Sequence, residues 1–129
     1  KMGTYGLIRW LIPVVPAGVA AYGEVVVILS VFTIVYASII ALNQKDIKKL
    51  MAWSSIAHIA LISAGIFSFT SEGLKGALVQ MLAHGINIVA LFYIVNIIYK
   101  RTQTHDMESI SGIRSKAPVL ALFFLIIKI

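Results

Sequence analysis

Two histidines stand inside long apolar stretches, and they are the side chains best suited to chemistry. His84 has Gln80 four residues before it and Asn87 three after. On a helix that spacing gathers the three along one side. His58 has Ser54 and Ser55 four and three residues before it and Gly65 seven after, so these also share a face. Histidine is the side chain that takes up and releases protons near neutral pH. A polar stripe with a titratable centre suits a hydrated proton path. It suits interhelical hydrogen bonding equally well, since such side chains commonly join membrane helices. A neutral, structural histidine is an equally good reading of His58. Spacing alone leaves these alternatives open.

Lys1 joins them by geometry. It lies twelve residues before Pro13, about 18 Å along a helix at 1.5 Å per residue. If Pro13 marks the outer interface, Lys1 sits near the bilayer centre, where a lysine can hold or release a proton. Arg9 lies closer to the interface and can snorkel. The alternative is that Lys1 is only a cut end.

The elements that must position these residues are membrane helices. Of the residues, 60% are hydrophobic and 12% charged, with a mean hydropathy of +0.95; a soluble domain carries about 25% charged residues. So short a chain cannot hide that much apolar surface in a water-soluble core. A membrane helix needs about 20 mostly apolar residues. Residues 25–42, 50–69 and 76–99 meet that requirement. Residues 1–19 and 118–129 read as partial spans, the first ended by Pro13, Pro16 and Gly18. The expected fold is all-α, a polytopic transmembrane bundle of three full and two partial spans. The chain starts at Lys1 and stops at Ile129 in an apolar run, so 1–129 is expected to be a fragment of a single transmembrane domain. Lys1 to Val19 is a poor signal peptide, since Arg9 and two prolines interrupt it.

Charge alternates between loops. Lys45, Lys48 and Lys49 outnumber Asp46 in the 43–49 loop. Lys100, Arg101, Arg114 and Lys116 outnumber Asp106 and Glu108 in the 100–117 segment, where Ser111 and Gly112 suggest a break. Glu24, and Glu72 with Lys75 in a Thr70–Lys75 turn, mark the other side. The positive-inside rule puts loops 43–49 and 100–117 in the cytoplasm or the organellar matrix. Asp46 stands where the next helix begins, a position the helix dipole favours for a carboxylate. Ser30, Thr33, Ala37 and Ala41 form a small-residue stripe suited to close packing.

Several classes are excluded. Without cysteine there is no disulfide framework, thiolate zinc site or cysteine-ligated iron–sulfur cluster. The net charge of +6 lies in loops and forms no patch interleaved with aromatics, which argues against nucleic acid. No nucleotide-binding glycine loop is present; Gly3 and Gly6 follow no strand.

The run Lys1 to Trp10 (KMGTYGLIRW) is similar to the lysine-bearing eighth helix of the antiporter-like proton-pumping membrane subunits of respiratory complex I, NADH:quinone oxidoreductase. Asn43 to His58 (NQKDIKKLMAWSSIAH) resembles that family's most recognisable signature, and Gln80 to Gly85 (QMLAHG) its histidine-bearing eleventh helix. Tyr99 to Met107 (YKRTQTHDM) looks like the following loop in the subunit 4, or chain M, branch.

The resemblance implies a non-redox subunit that couples quinone reduction to proton movement across an inner membrane, bacterial or mitochondrial. It implies that Lys1 relays protons, that His58 and His84 line the route with Ser54, Ser55, Gln80 and Asn87 in support, and that Asp46 and Lys48 are structural loop charges. It implies no cofactor in this chain, with NADH, FMN, iron–sulfur clusters and quinone elsewhere in the complex, and its other membrane subunits as partners. Ala57 and Ile59 stand where serine and methionine are common, and Lys128 where an apolar residue is expected. The family's other ionisable residues lie on helices outside this chain, so the fragment alone is not expected to pump. A multisubunit sodium/proton antiporter or a membrane-bound hydrogenase is the nearest rival. A structural membrane scaffold is the rival from another class.

Overall fold

In a bilayer every backbone polar group must be satisfied internally, which leaves helices as the solution for a chain of this pattern. The computed structural model describes residues 1–110 and 117–128. The Ser111–Gly112 break, Arg114, Lys116 and the side chain of Lys128 lie outside the described residues. Helix α1 (Met2–Gly6) runs into a π-helical turn (Leu7–Leu11) and α2 (Ile12–Val14). Then come α3 (Pro16–Leu42), α4 (Ile47–Ile66), α5 (Ser71–Thr102) and α6 (Pro118–Lys128). No strand occurs among the described residues. Helices α3, α4 and α5 are long and apolar enough to cross a membrane.

The first break falls earlier than the expected 1–19 boundary. It is at Val15, whose backbone is non-helical (φ −128°, ψ 58°). A proline disfavours helical backbone in the residue before it, and its own fixed φ suits the first turn of a helix. Pro16 therefore starts α3 instead of ending the preceding helix. The first full span begins there and not at Val25, and Glu24 sits on the helix. Pro13 stays helical because the wide turn before it absorbs the missing N–H and the clash with the carbonyl of Arg9.

The later spans also shift. Helix α4 extends three residues ahead of the uncharged run 50–69 and starts where Asp46 is expected to start it, the Asp46 Oδ1 accepting from the amides of Lys48 (2.8 Å) and Lys49 (3.2 Å). The expected Thr70–Lys75 turn shortens to Phe67–Thr70, since the Thr70 hydroxyl caps Gly73 N at 3.0 Å. Glu72 and Lys75 thus lie on α5, which runs about 48 Å at 1.5 Å per residue.

Helix α3 packs most extensively on α4, and α4 on α5. The stripe on α3 faces inward: Ser30 and Ala37 are buried, Thr33 and Ala41 half-buried. Helices α4 and α5 meet closely near their connection. A Cβ at Gly65 would stand 3.0 Å from the Gly73 carbonyl and 3.2 Å from Ala77 Cβ. Val19, Ile62, Ile66, Phe67 and Ala77 form the core there, and Ile94, Ile98 and Ile110 form a second one toward the opposite end.

At that opposite end the chain is clipped. Ile47 N donates to His105 O (3.0 Å) and Met107 N to Lys45 O (2.9 Å), pairing Asp46 with Asp106. His105 stacks on Tyr99 with ring centroids 4.3 Å apart, and Lys45 reaches Glu108 at 3.4 Å. The 43–46 connection and the described part of the 100–117 segment therefore lie on the same side, as their charge predicts.

Candidate functional site

The close contact of Gly65 with Ala77 sets the register of α4 against α5. The helices are antiparallel, so seven residues back from Gly65 and seven forward from Ala77 meet again. Those residues are His58 and His84, whose ring centroids lie 5.2 Å apart. One turn nearer the connection, the Gln80 amide donates to His58 Nδ1 at 3.1 Å. An amide nitrogen can only donate, so in neutral His58 this bond leaves the proton on Nε2.

On the other side of His84, Lys1 Nζ lies 2.9 Å from His84 Nδ1. Lys1 is the N-cap of α1, and its carbonyl accepts from the hydroxyl of buried Thr4 at 2.9 Å. A charged Lys1 donates to Nδ1; a neutral amine accepts from an Nδ1–H. One bond thus holds a proton on either partner. Because that partner is an imidazole and not a carboxylate, the lysine's charge is not cancelled. His84 is buried and its Nε2 has no hydrogen-bond partner among the described residues. His58 is exposed on the polar face of α4. The string Lys1, His84, His58, Gln80 lies deep in the helices: His58 stands about 16 Å from the start of α4 at 1.5 Å per residue.

A cavity of about 250 Å³ opens beside the string, lined by Ser54, Ser55, His58, Gln80, His84 and Asn87 together with apolar residues that include Ile127. The polar residues picked out from spacing are therefore brought together by α1, α4 and α5. Spacing gives no sign of Ile127, which comes from α6 and carries no sequence signal beyond hydrophobicity.

Asp46 and Lys48 stand apart, about 18 Å from His58 along α4 for Asp46. Slight burial pulls the Asp46 carboxyl up, but the amides of Lys49 and Lys48, with the charges of His105 and Lys49, outweigh it and hold the group below its ordinary value. Lys48 contributes its amide to the cap, and its side chain is exposed. Among the described residues no group of three or more His, Cys, Asp or Glu side chains is placed to hold a metal.

Comparison with known proteins gives a consistent picture. The chain is 48% identical to NADH-quinone oxidoreductase subunit M of Rickettsia conorii over 98% of its own length and 26% of the relative's. It is 42% identical to subunit M of Rhodobacter capsulatus over 97% of the chain and 24% of that protein. It is 39% identical to NADH-ubiquinone oxidoreductase chain 4 of Metridium senile over 98% of the chain and 26% of that protein. The chain thus spans about a quarter of the length of these relatives. The family model described as NADH:quinone oxidoreductase/Mrp antiporter, transmembrane, matches residues 1–129. With three apolar spans, a polar string joining two of them to the first short helix and a match along its whole length, the chain is an integral membrane protein that belongs to the NADH:quinone oxidoreductase/Mrp antiporter transmembrane family.

Proposed function

We propose that the chain is part of a proton-translocating, non-redox membrane subunit of NADH:quinone oxidoreductase, and that protons pass along Lys1, His84 and His58. The carrying observation is the 2.9 Å contact between Lys1 Nζ and His84 Nδ1, with the His58 ring 5.2 Å further on. Each member can hold or release a proton, and the adjoining cavity has room for water between polar walls. In this reading Gln80 orients His58, while Ser54, Ser55 and Asn87 keep the cavity polar. Asp46 and Lys48 hold the loop that starts α4. The basic loops face the cytoplasm or matrix. NADH, FMN, iron–sulfur clusters and quinone are bound by partner subunits, and the energy of quinone reduction reaches this chain through its membrane neighbours.

The test is made in the complete complex. His84→Gln and Lys1→Ala should each lower proton pumping on the order of a hundredfold, the size of a lost proton-transfer group, with the complex still assembled. Glutamine keeps a hydrogen-bonding side chain without a titrating one. Undiminished pumping by both variants overturns the assignment and leaves interhelical bonding as the role of these residues.

The family description also names Mrp antiporters, which favours a second reading as an antiporter subunit. It predicts sodium-dependent proton transport without NADH in membranes containing the parent chain, and NADH:quinone reductase activity absent from the captured assembly.

A further inference from the structure

Tyr36 of α3 and Trp53 of α4 meet edge to face, with ring centroids 6.1 Å apart. Phe32 stacks on Tyr36, its centroid also 6.1 Å away and one turn deeper. Tyr36 lies six residues before Leu42 and Trp53 six after Ile47, so the pair sits about 9 Å from the basic-loop end of both helices. Phe32 and Tyr36 are exposed and Trp53 is half-buried. The Tyr36 hydroxyl and the Trp53 indole N–H make no hydrogen bond among the described residues. Rings with an apolar body and a polar tip settle where hydrocarbon gives way to headgroups.

Below the pair, a groove of about 330 Å³ runs between the same helices, from Thr33 and Ile56 past Leu29 and Ala60 to Val26 and Ser63. The Thr33 hydroxyl donates to Leu29 O at 2.8 Å and the Ser63 hydroxyl to Ile59 O at 3.1 Å, each returned to its own helix. Ser30 also lines the groove and is buried. The outer walls are therefore apolar. From Trp53 to Ser63 is about 15 Å along α4 at 1.5 Å per residue, half of the roughly 30 Å hydrocarbon thickness of a bilayer. The groove is as long as one leaflet is deep.

Above the pair stands Lys49, one turn before Trp53 on the same face of α4. Its side chain is exposed and makes no ion pair among the described residues. Asp46 lies near enough to feel its charge, but the Asp46 Oδ1 is taken up by the amides of Lys48 and Lys49. A helical side chain leans toward its helix N-terminus, here toward water. A cation at the edge, two hydrogen-bonding tips one turn below it and an apolar groove beneath follow the order of phosphate, glycerol esters and acyl chain in a phospholipid.

We infer that this flank of α3 and α4 holds an ordered phospholipid with an anionic headgroup, from the leaflet on the side of the basic loops. Its phosphate meets Lys49, its ester oxygens accept from the Trp53 N–H and the Tyr36 hydroxyl, and one acyl chain lies in the groove. Trp53 is five residues from His58, about 140° around α4. The lipid site is thus separate from the histidine string and does not rest on its role.

The experiment uses the purified assembly containing the parent chain, in nanodiscs of phosphatidylcholine with a trace of phosphatidylglycerol that carries a photoactivatable group on one acyl chain. After illumination, labelled peptides are mapped by mass spectrometry, with label elsewhere in the assembly as the reference. Label should concentrate at residues 29–33 and 56–60. Lys49→Gln should cut it about fivefold, the effect of one lysine at an anionic surface, and Lys49→Arg should retain it. Trp53→Phe keeps a ring without the N–H and should cut it about twofold. Lys100→Gln removes a cation at the same edge on α5 and should leave it unchanged. Absence of label in the groove, with label elsewhere, overturns the inference and shows a protein neighbour covering this flank. Equal labelling by a phosphatidylcholine probe with the same reactive group also overturns it, since the groove would then meet bulk lipid without selection. Label indifferent to Lys49→Gln removes the headgroup contact and the inference with it.

Discussion

The hairpin of α4 and α5 is held at its two ends by opposite means. Near Phe67–Thr70 the helices touch because side chains are missing: Gly65 lets the backbone of Gly73 and the Cβ of Ala77 approach. At the other end they are held by what is present, namely two backbone hydrogen bonds, an acid cap, a stacked Tyr99–His105 pair and an exposed ion pair. The first contact is steric, dry and insensitive to pH. The second is polar and faces water. Only the first is tied by register to the histidines, which lie seven residues along each helix from it. Precision at the site is set by close packing, and the clip decides how the ends of the hairpin are kept together.

The largest break of that comparison is Gly65→Leu. Overpacking costs about 1–3 kcal/mol, and here it pushes α4 from α5 at the contact that aligns His58 with His84. Thermal unfolding of the detergent-solubilised complex should fall, and pumping should fall with it. If stability drops while pumping per assembled complex persists, the register does not depend on Gly65.

Asp46→Ala tests the polar end. Loss of an N-cap costs about 1 kcal/mol, so a smaller drop in unfolding temperature is expected, with pumping per complex retained. The same residue carries a pH signature. Its carboxyl is held below its ordinary value of 3.8 in the folded chain. Its contribution is thus complete above that ordinary value and is lost as pH falls through the depressed one. The parent chain should lose stability on acidification more steeply than Asp46→Asn, which caps without titrating; parallel curves would show that the cap does not depend on charge. The smallest effect is expected from Lys45→Ala. It removes a pair whose side chains are 81% and 75% exposed, worth under about 1 kcal/mol, and any change should vanish at high salt.

Much of this architecture is legible from sequence because bilayers impose simple rules. Long uncharged runs must be spans, and polar side chains four and three residues apart must share a face. Spacing alone therefore gathers Gln80, His84 and Asn87, and the dipole places Asp46 at a helix start. Boundaries are less legible. Pro16 reads as a stop or as a start, and only the backbone at Val15 distinguishes them. Thr70 moves a helix start by five residues through one hydroxyl. Contacts between distant segments leave no trace. Nothing in the sequence pairs Asp46 with Asp106, stacks His105 on Tyr99 or brings Ile127 over the cavity. Spacing puts His58 and His84 on the polar faces of their own helices, but their meeting depends on the register that Gly65 permits.

The wide turn at Leu7–Leu11 has a consequence for the lysine ahead of it. A π-helical turn takes up one residue more than an α-helical turn, and one residue is about 100° of rotation. Lys1 and Thr4 are therefore out of phase with Ile12 by roughly a quarter turn compared with an unbroken α-helix. A helical wheel drawn straight through this segment aims the lysine at the wrong neighbour. The compass bearing of Lys1 toward His84 is kept by five residues without any ionisable group other than Arg9.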